Sequence, residues 1–77
     1  MPDLNEFYGS DRGRATKVRD GYIAYVRVYR RDRPDSSVKE VSGEGGTATA
    51  AINRATAEAK RWANLAGEPE GWNSNSN

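Results

Sequence analysis

Residues 22–31 read YIAYVRVYRR, and the arrangement of the whole chain follows from how these ten side chains divide. β-Branched and aromatic residues dominate the run, which is the composition of a strand. Alternation sends Tyr22, Ala24, Val26 and Val28 to one face and Ile23, Tyr25, Arg27, Tyr29 and Arg31 to the other. An unpaired arginine in mid-strand is costly to bury, so the first set is expected to meet the core. The second set is expected to stand away from it.

Asp20-Gly21 precedes the run and is a two-residue hairpin signature, since a type I′ turn needs positive φ at both central positions. A strand over 14–19 is therefore expected to pair with the main one. On the other side, Asp32-Arg33-Pro34-Asp35 suits a turn with Pro34 at its first central position. A third strand follows over 37–42, where Val38 and Val41 are out of phase for a single face. A bulge or an exposed valine is expected there, and Gly43, Gly45 and Gly46 are expected to end the strand.

Thr47 or Thr49 can cap a helix over 48–66 whose apolar stripe is Ala48, Ala51, Ile52, Ala55, Ala59, Trp62, Ala63 and Ala66. Spacings of three and four persist along the whole stretch, and Gly67 and Pro69 stop it. Because alanine fills the stripe, the helix can lie close to the sheet over small residues such as Ala24, with Ile52 and Trp62 as anchors. Arg54 and Glu58 on the far face are spaced for an i,i+4 pair. A helical turn over residues 3–8 is expected to send Leu4 and Phe7 or Tyr8 inward. The fold class is α+β: a three-stranded antiparallel sheet with one long C-terminal helix packed on one face. Residues 1–72 form the single domain, with Trp72 folded back onto it, and residues 73–77 form a polar tail expected to be disordered.

Composition narrows the function. The 77 residues, 35% of them hydrophobic, with mean hydropathy −0.96, suffice for one thin core, marginal alone or supported by a partner. No apolar run is long enough to span a membrane, and the start shows no signal-peptide pattern, so a soluble cytoplasmic protein is expected. The chain has no Cys and no His. It therefore lacks the common zinc ligands, the thiol nucleophile and the usual general base near neutral pH. The carboxylates are scattered, with no DxD or ExxE pairing. An enzyme is not expected, nor is a cofactor or a metal.

Charge is uneven although the net is only +1. Residues 1–11 carry −3, residues 12–33 carry +6 and residues 34–77 carry −2, and nine of the twelve basic residues are Arg. Three constellations follow. The first is the alternating aromatic and Arg face of the main strand, a composition common to interface hot spots and base stacking, with Tyr25 and Tyr29 either exposed or covered by the N-terminal segment. The second is a basic cluster of Arg30, Arg31 and Arg33 with Arg12, Arg14, Lys17 and Arg19 on the neighbouring strand, suited to phosphates or an acidic protein surface. The third is Ser42-Gly43-Glu44-Gly45-Gly46-Thr47 before the helix, which lacks the lysine of a phosphate-binding loop and reads as a connecting turn. The partner-binding residues expected from these are Tyr25, Arg27, Tyr29, Arg30, Arg31 and Arg33.

Two resemblances add to this reading. The stretch GEGGTATAAINRATAEA over 43–59, with Pro2, Leu4, Asn5, Glu6 and Phe7, partially resembles the double-stranded RNA-binding domain. That family has a helix, three antiparallel strands, a Gly-rich turn and an Ala-rich second helix. Its phosphate-binding lysines at the start of that helix are replaced here by Ala48, Thr49 and Ile52. In architecture and style, without a shared motif, the chain is similar to small phage-encoded anti-CRISPR proteins, which occupy sites on a host effector complex. The resemblance implies a non-catalytic inhibitor that blocks a host nucleic-acid-processing complex, a protein or ribonucleoprotein, by protein–protein contact. The alternative is a nucleic-acid-binding protein of the double-stranded RNA-binding-domain type. A homodimer through the strand face or edge is a further expectation.

Overall fold

A computed structural model of the chain describes residues 4–11 and 13–72. Asp3, Arg12 and the tail 73–77, on which some of the expectations above fall, lie outside the described residues. The elements are β1 (Tyr8–Ser10), β2 (Arg14–Val18), β3 (Gly21–Arg30), β4 (Arg33–Gly45) and α1 (Ala48–Ala66). All strand pairs are antiparallel.

β3 is the central strand, as its composition predicts. β4 follows one edge of it along nearly its full length, from Tyr22 opposite Gly45 to Arg30 opposite Arg33. The other edge is shared by β2, which pairs with residues 21–25, and β1, which pairs with residues 28–30. Between them, the Asp11 amide donates to the Arg27 carbonyl at 3.0 Å and keeps the two short strands in line. The sheet thus has four strands rather than three, because the chain before β3 runs along that edge twice. Among the described residues 4–8, the helical turn expected over 3–8 does not form. Instead the Asn5 side-chain oxygen accepts from the amides of Phe7 and Tyr8 at 2.9 and 3.0 Å, and the chain turns directly into β1.

The face of β3 expected to meet the core does so. Ala24, Val26 and Val28 are fully buried beneath Ala51, Ala55, Ala59 and Ala63 of α1. The helix occupies the expected residues, capped by Thr47, whose hydroxyl accepts from the Ala50 amide at 3.1 Å. It ends at Gly67, which adopts φ 68° and returns its amide to the Ala63 carbonyl. Trp62 meets Tyr8 edge-on at 5.1 Å, and Ile52 packs against the same core.

The turns differ from the sequence reading. The β2–β3 loop is Arg19-Asp20, one residue before the expected Asp20-Gly21. No non-glycine residue among those described has positive φ, so Asp20 does not supply the type I′ geometry. Gly21 opens β3 at φ 147°, where an added Cβ would lie 2.6 Å from the Gly45 carbonyl. The second loop is Arg31-Asp32, and Pro34 belongs to β4. Pro34 is tolerated there because β4 is an edge strand.

β4 also continues past its expected end. Gly43 and Gly45 do not terminate it; they are where α1 rests. A Cβ at Gly43 would collide with the backbone at Arg54 and Ala55, and one at Gly45 would lie 2.7 Å from the Ala50 methyl. Both halves of the expectation for Val38 hold. It is exposed, and the register shifts there, with Val28 opposite Lys39 but Tyr29 opposite Ser37. Trp72 returns to the domain as expected, edge-on to Phe7 at 5.2 Å.

Candidate binding face of the sheet

With α1 on one side, the other side of the sheet is open. Residues directly opposite across a ladder share a face, so the register assembles this surface. Tyr25 lies between Arg14 of β2 and Ser42 of β4; Arg27 lies opposite Glu40, and Ile23 between Thr16 and Glu44. Tyr25 is 51% exposed. Arg27 is held by Asp11, with Nε–Oδ2 at 2.8 Å and Nη2–Oδ1 at 3.3 Å. Such a two-point pair fixes the guanidinium plane while leaving its outer edge accessible.

The expected site residues separate into three groups. Tyr25 and Arg27 stand together on the open face. Tyr29 points the same way but is only 5% exposed, because its ring lies over Gly9 of β1; a Cβ there would be 2.9 Å from the phenol oxygen. Of the two outcomes left open for this face, Tyr25 is exposed and Tyr29 is covered by the N-terminal segment. A glycine directly opposite leaves the space that an aromatic ring fills.

Arg30, Arg31 and Arg33 lie at the β3–β4 turn. Arg30 forks onto Asp32 at 2.8 and 2.6 Å and donates to the Glu70 carbonyl at 2.8 Å. The hydrogen bond from Arg30 holds the Asp32 carboxyl below its ordinary range, and the same bond raises Arg30. Arg31 reaches the carbonyls of Asn5 and Glu6 and ties down the loop before β1. Arg33 is exposed opposite Arg30. Two of these arginines thus hold chain segments through backbone carbonyls, Arg30 half-buried and Arg31 exposed.

The expected basic cluster is also divided. Arg14 lies opposite Tyr25 and Arg19 lies at the far end of β3, whereas Arg30, Arg31 and Arg33 lie at the other end. The six-residue step from Tyr25 to Arg31 is about 20 Å along a strand. Neighbouring segments also bring Asp11, Glu40, Ser42 and Glu44 to Tyr25 and Arg27, none of them among the six expected partner-binding residues. Alternation of Glu40, Ser42 and Glu44 was visible as a pattern, but only register places it beside Tyr25. The assembled face carries both signs of charge, two arginines among three carboxylates.

Among the described residues no group of three or more Asp or Glu is placed to hold a metal ion. No described helix is long and apolar enough to cross a membrane. No protein-family model matches this chain, and no curated protein or solved structure is significantly similar to it.

Proposed function

We propose that the chain is a non-catalytic binding protein that engages a partner protein through the open face of its sheet. The observation that carries this reading is Tyr25, half exposed on the open face and framed by Arg14 and the pre-oriented Arg27. Aromatic and Arg side chains dominate interface energies when a partner desolvates them. Surrounding them with charges of both signs suits a protein surface, which itself carries both. A phosphate backbone favours a surface of one sign. The start of α1, where Ala48 and Thr49 are exposed, offers no cation to a phosphate either.

The specific form of this reading is inhibition of a host nucleic-acid-processing complex by occupation of one of its surfaces, in the manner of the anti-CRISPR proteins that the chain resembles. Its support is the lack of the usual catalytic side chains and the character of the face. The test compares tagged wild type with Tyr25→Ala and Arg27→Ala in pull-downs from host lysate at about 150 mM salt, alongside thermal melts. Wild type should retain a stoichiometric protein or ribonucleoprotein complex that survives nuclease. Each substitution should weaken it by about 2 kcal/mol or more. The melts should shift little, because solvent-facing changes usually move stability by about 0.5 kcal/mol or less. Retention that nuclease abolishes would overturn the reading in favour of nucleic-acid binding.

A further inference from the structure

α1 does not run parallel to β4. Its first turns rest on Gly43 and Gly45, whereas its end reaches the opposite edge of the sheet, where Trp62 meets Tyr8 and Asn64 accepts from the Asn5 side chain at 3.3 Å. A helix laid diagonally in this way leaves the middle of β4 uncovered on the helix side. The resulting groove is lined by Lys39 and Val41 from β4 and by Glu58, Arg61, Trp62 and Leu65 from α1. Leu65 is 77% exposed, a large apolar side chain with nothing over it. Along the same groove, β4 pairs only with β3 among the described residues, so its outer edge presents unpaired backbone donors and acceptors.

We propose that this groove takes an extended segment of a partner protein, added to the edge of β4 as a further strand, in which apolar residues alternate with Asp or Glu. Three features select that occupant. A free strand edge beside an apolar trough is the arrangement in which backbone hydrogen bonds supply affinity and alternate side chains supply specificity. The trough holds about 190 Å³, below the roughly 300–1,000 Å³ of small-molecule sites and suited to one or two apolar side chains.

The third feature is charge. Lys39 and Arg61 rim the groove against the single carboxylate of Glu58, whereas further along Arg54 is accompanied by Glu40 and Glu44. None of Lys39, Arg61, Arg54 and Glu58 is in an ion pair among the described residues, and the Arg54–Glu58 pair suggested by their spacing does not form. An acidic segment would find these cations unengaged. A second copy of this chain is disfavoured for the same reason. Antiparallel pairing of two β4 edges puts both helices on one face of the joined sheet and turns each cationic rim toward its duplicate.

The site lies on the opposite face from Tyr25 and is independent of the function proposed above. Its test uses a fluorescein-labelled nine-residue peptide alternating glutamate with valine and leucine, and a control with lysine in place of glutamate. Anisotropy titration of the full chain should show saturable binding of the acidic peptide, at least about tenfold tighter than the control, as two unpaired rim cations favour glutamate and repel lysine. Amide shifts should concentrate at residues 37–43 and at the Trp62 indole. Leu65→Asp, at a solvent-exposed position, should keep the melt of wild type and reduce affinity about tenfold or more. Equal affinity for both peptides, shifts centred on Tyr25 and Arg27, or no binding would overturn the proposal. So would a wild-type dimer that Leu65→Asp dissociates, since the groove would then belong to a second copy.

Discussion

Ser10 is the one described residue with a buried side-chain polar atom that has no partner: its hydroxyl lies under the sheet opposite Val28 without a hydrogen bond. Burying an unsatisfied hydroxyl costs about 1–3 kcal/mol. Ser10→Ala removes that cost at nearly constant volume and should raise the melting midpoint, by an amount equivalent to about 1 kcal/mol. A lowered midpoint would mean that the hydroxyl is satisfied in solution. The Arg30–Asp32 fork makes a second prediction. Asp32 is held below the ordinary carboxylate range, chiefly by its hydrogen bond from Arg30. Its contribution is therefore present above the unfolded pKa of about 4 and fades as pH falls through the lower folded value. Arg30 is raised, so its own contribution fades only at strongly alkaline pH. Asp32→Asn should accordingly flatten the loss of stability below about pH 4 and leave the midpoint's trend between pH 6 and 8 parallel to wild type. An unchanged acid limb would show that the pair does not survive in solution.

Among the elements, α1 depends on what it lies on more than on what it carries. Its buried stripe is alanine throughout, Ala51, Ala55, Ala59 and Ala63, so its side chains bury little apolar surface each. The close approach comes from the facing glycines of β4. Gly43→Ala should therefore be far more damaging than an ordinary surface change, because the new methyl meets helix backbone that has no rotamer to yield. Overpacking of this kind costs about 1–3 kcal/mol. Gly46→Ala, where an added Cβ meets nothing, is the control and should be nearly neutral. Equal melts for the two would contradict the packing described for β4 and α1. At the other end of the helix, Trp62 is only half buried, and its edge-on contact with Tyr8 couples α1 to β1. Trp62→Ala should cost about 3 kcal/mol, the lower end of the range for truncated aromatics. A melt like that of wild type would mean that α1 packs on another face.

At the scale of the molecule, the sheet separates two surfaces of different chemistry. The open face carries Tyr25 among charges of both signs, and the helix side carries an apolar groove with a cationic rim. Neither presents the continuous positive stripe that a nucleic-acid backbone favours. Affinity for double-stranded RNA should thus be no better than non-specific at physiological salt. Sub-micromolar binding at about 150 mM salt in a filter or anisotropy assay would contradict this and promote the alternative function. The thin core has a consequence as well. Two clasps, Trp72 on Phe7 and Arg30 on the Glu70 carbonyl, draw the end of the domain back onto β1 and β3.

The sequence by itself determined β2, β3 and α1 and which faces of β3 and α1 turn inward, but not β1 or the full length of β4. Hydrophobic alternation in 22–31 and the three-and-four spacing in 48–66 are local signals, and each depends only on the geometry of its own element. The bulge at Val38 was legible for the same reason, as a break in period. What only the tertiary structure decided is how those elements meet. The pairing of Gly9 with Tyr29 buried a ring that alternation alone would leave exposed. The register of β4 brought Glu40, Ser42 and Glu44 to Tyr25 and Arg27, and the path of the helix turned Gly43 and Gly45 from strand terminators into a bearing surface. Asp32 capturing Arg30, and two carbonyls capturing Arg31, drew charges into structural contacts. Each of these joins residues distant along the chain or at a turn whose geometry the pairing sets. A period along one strand carries no information about which neighbour it will face.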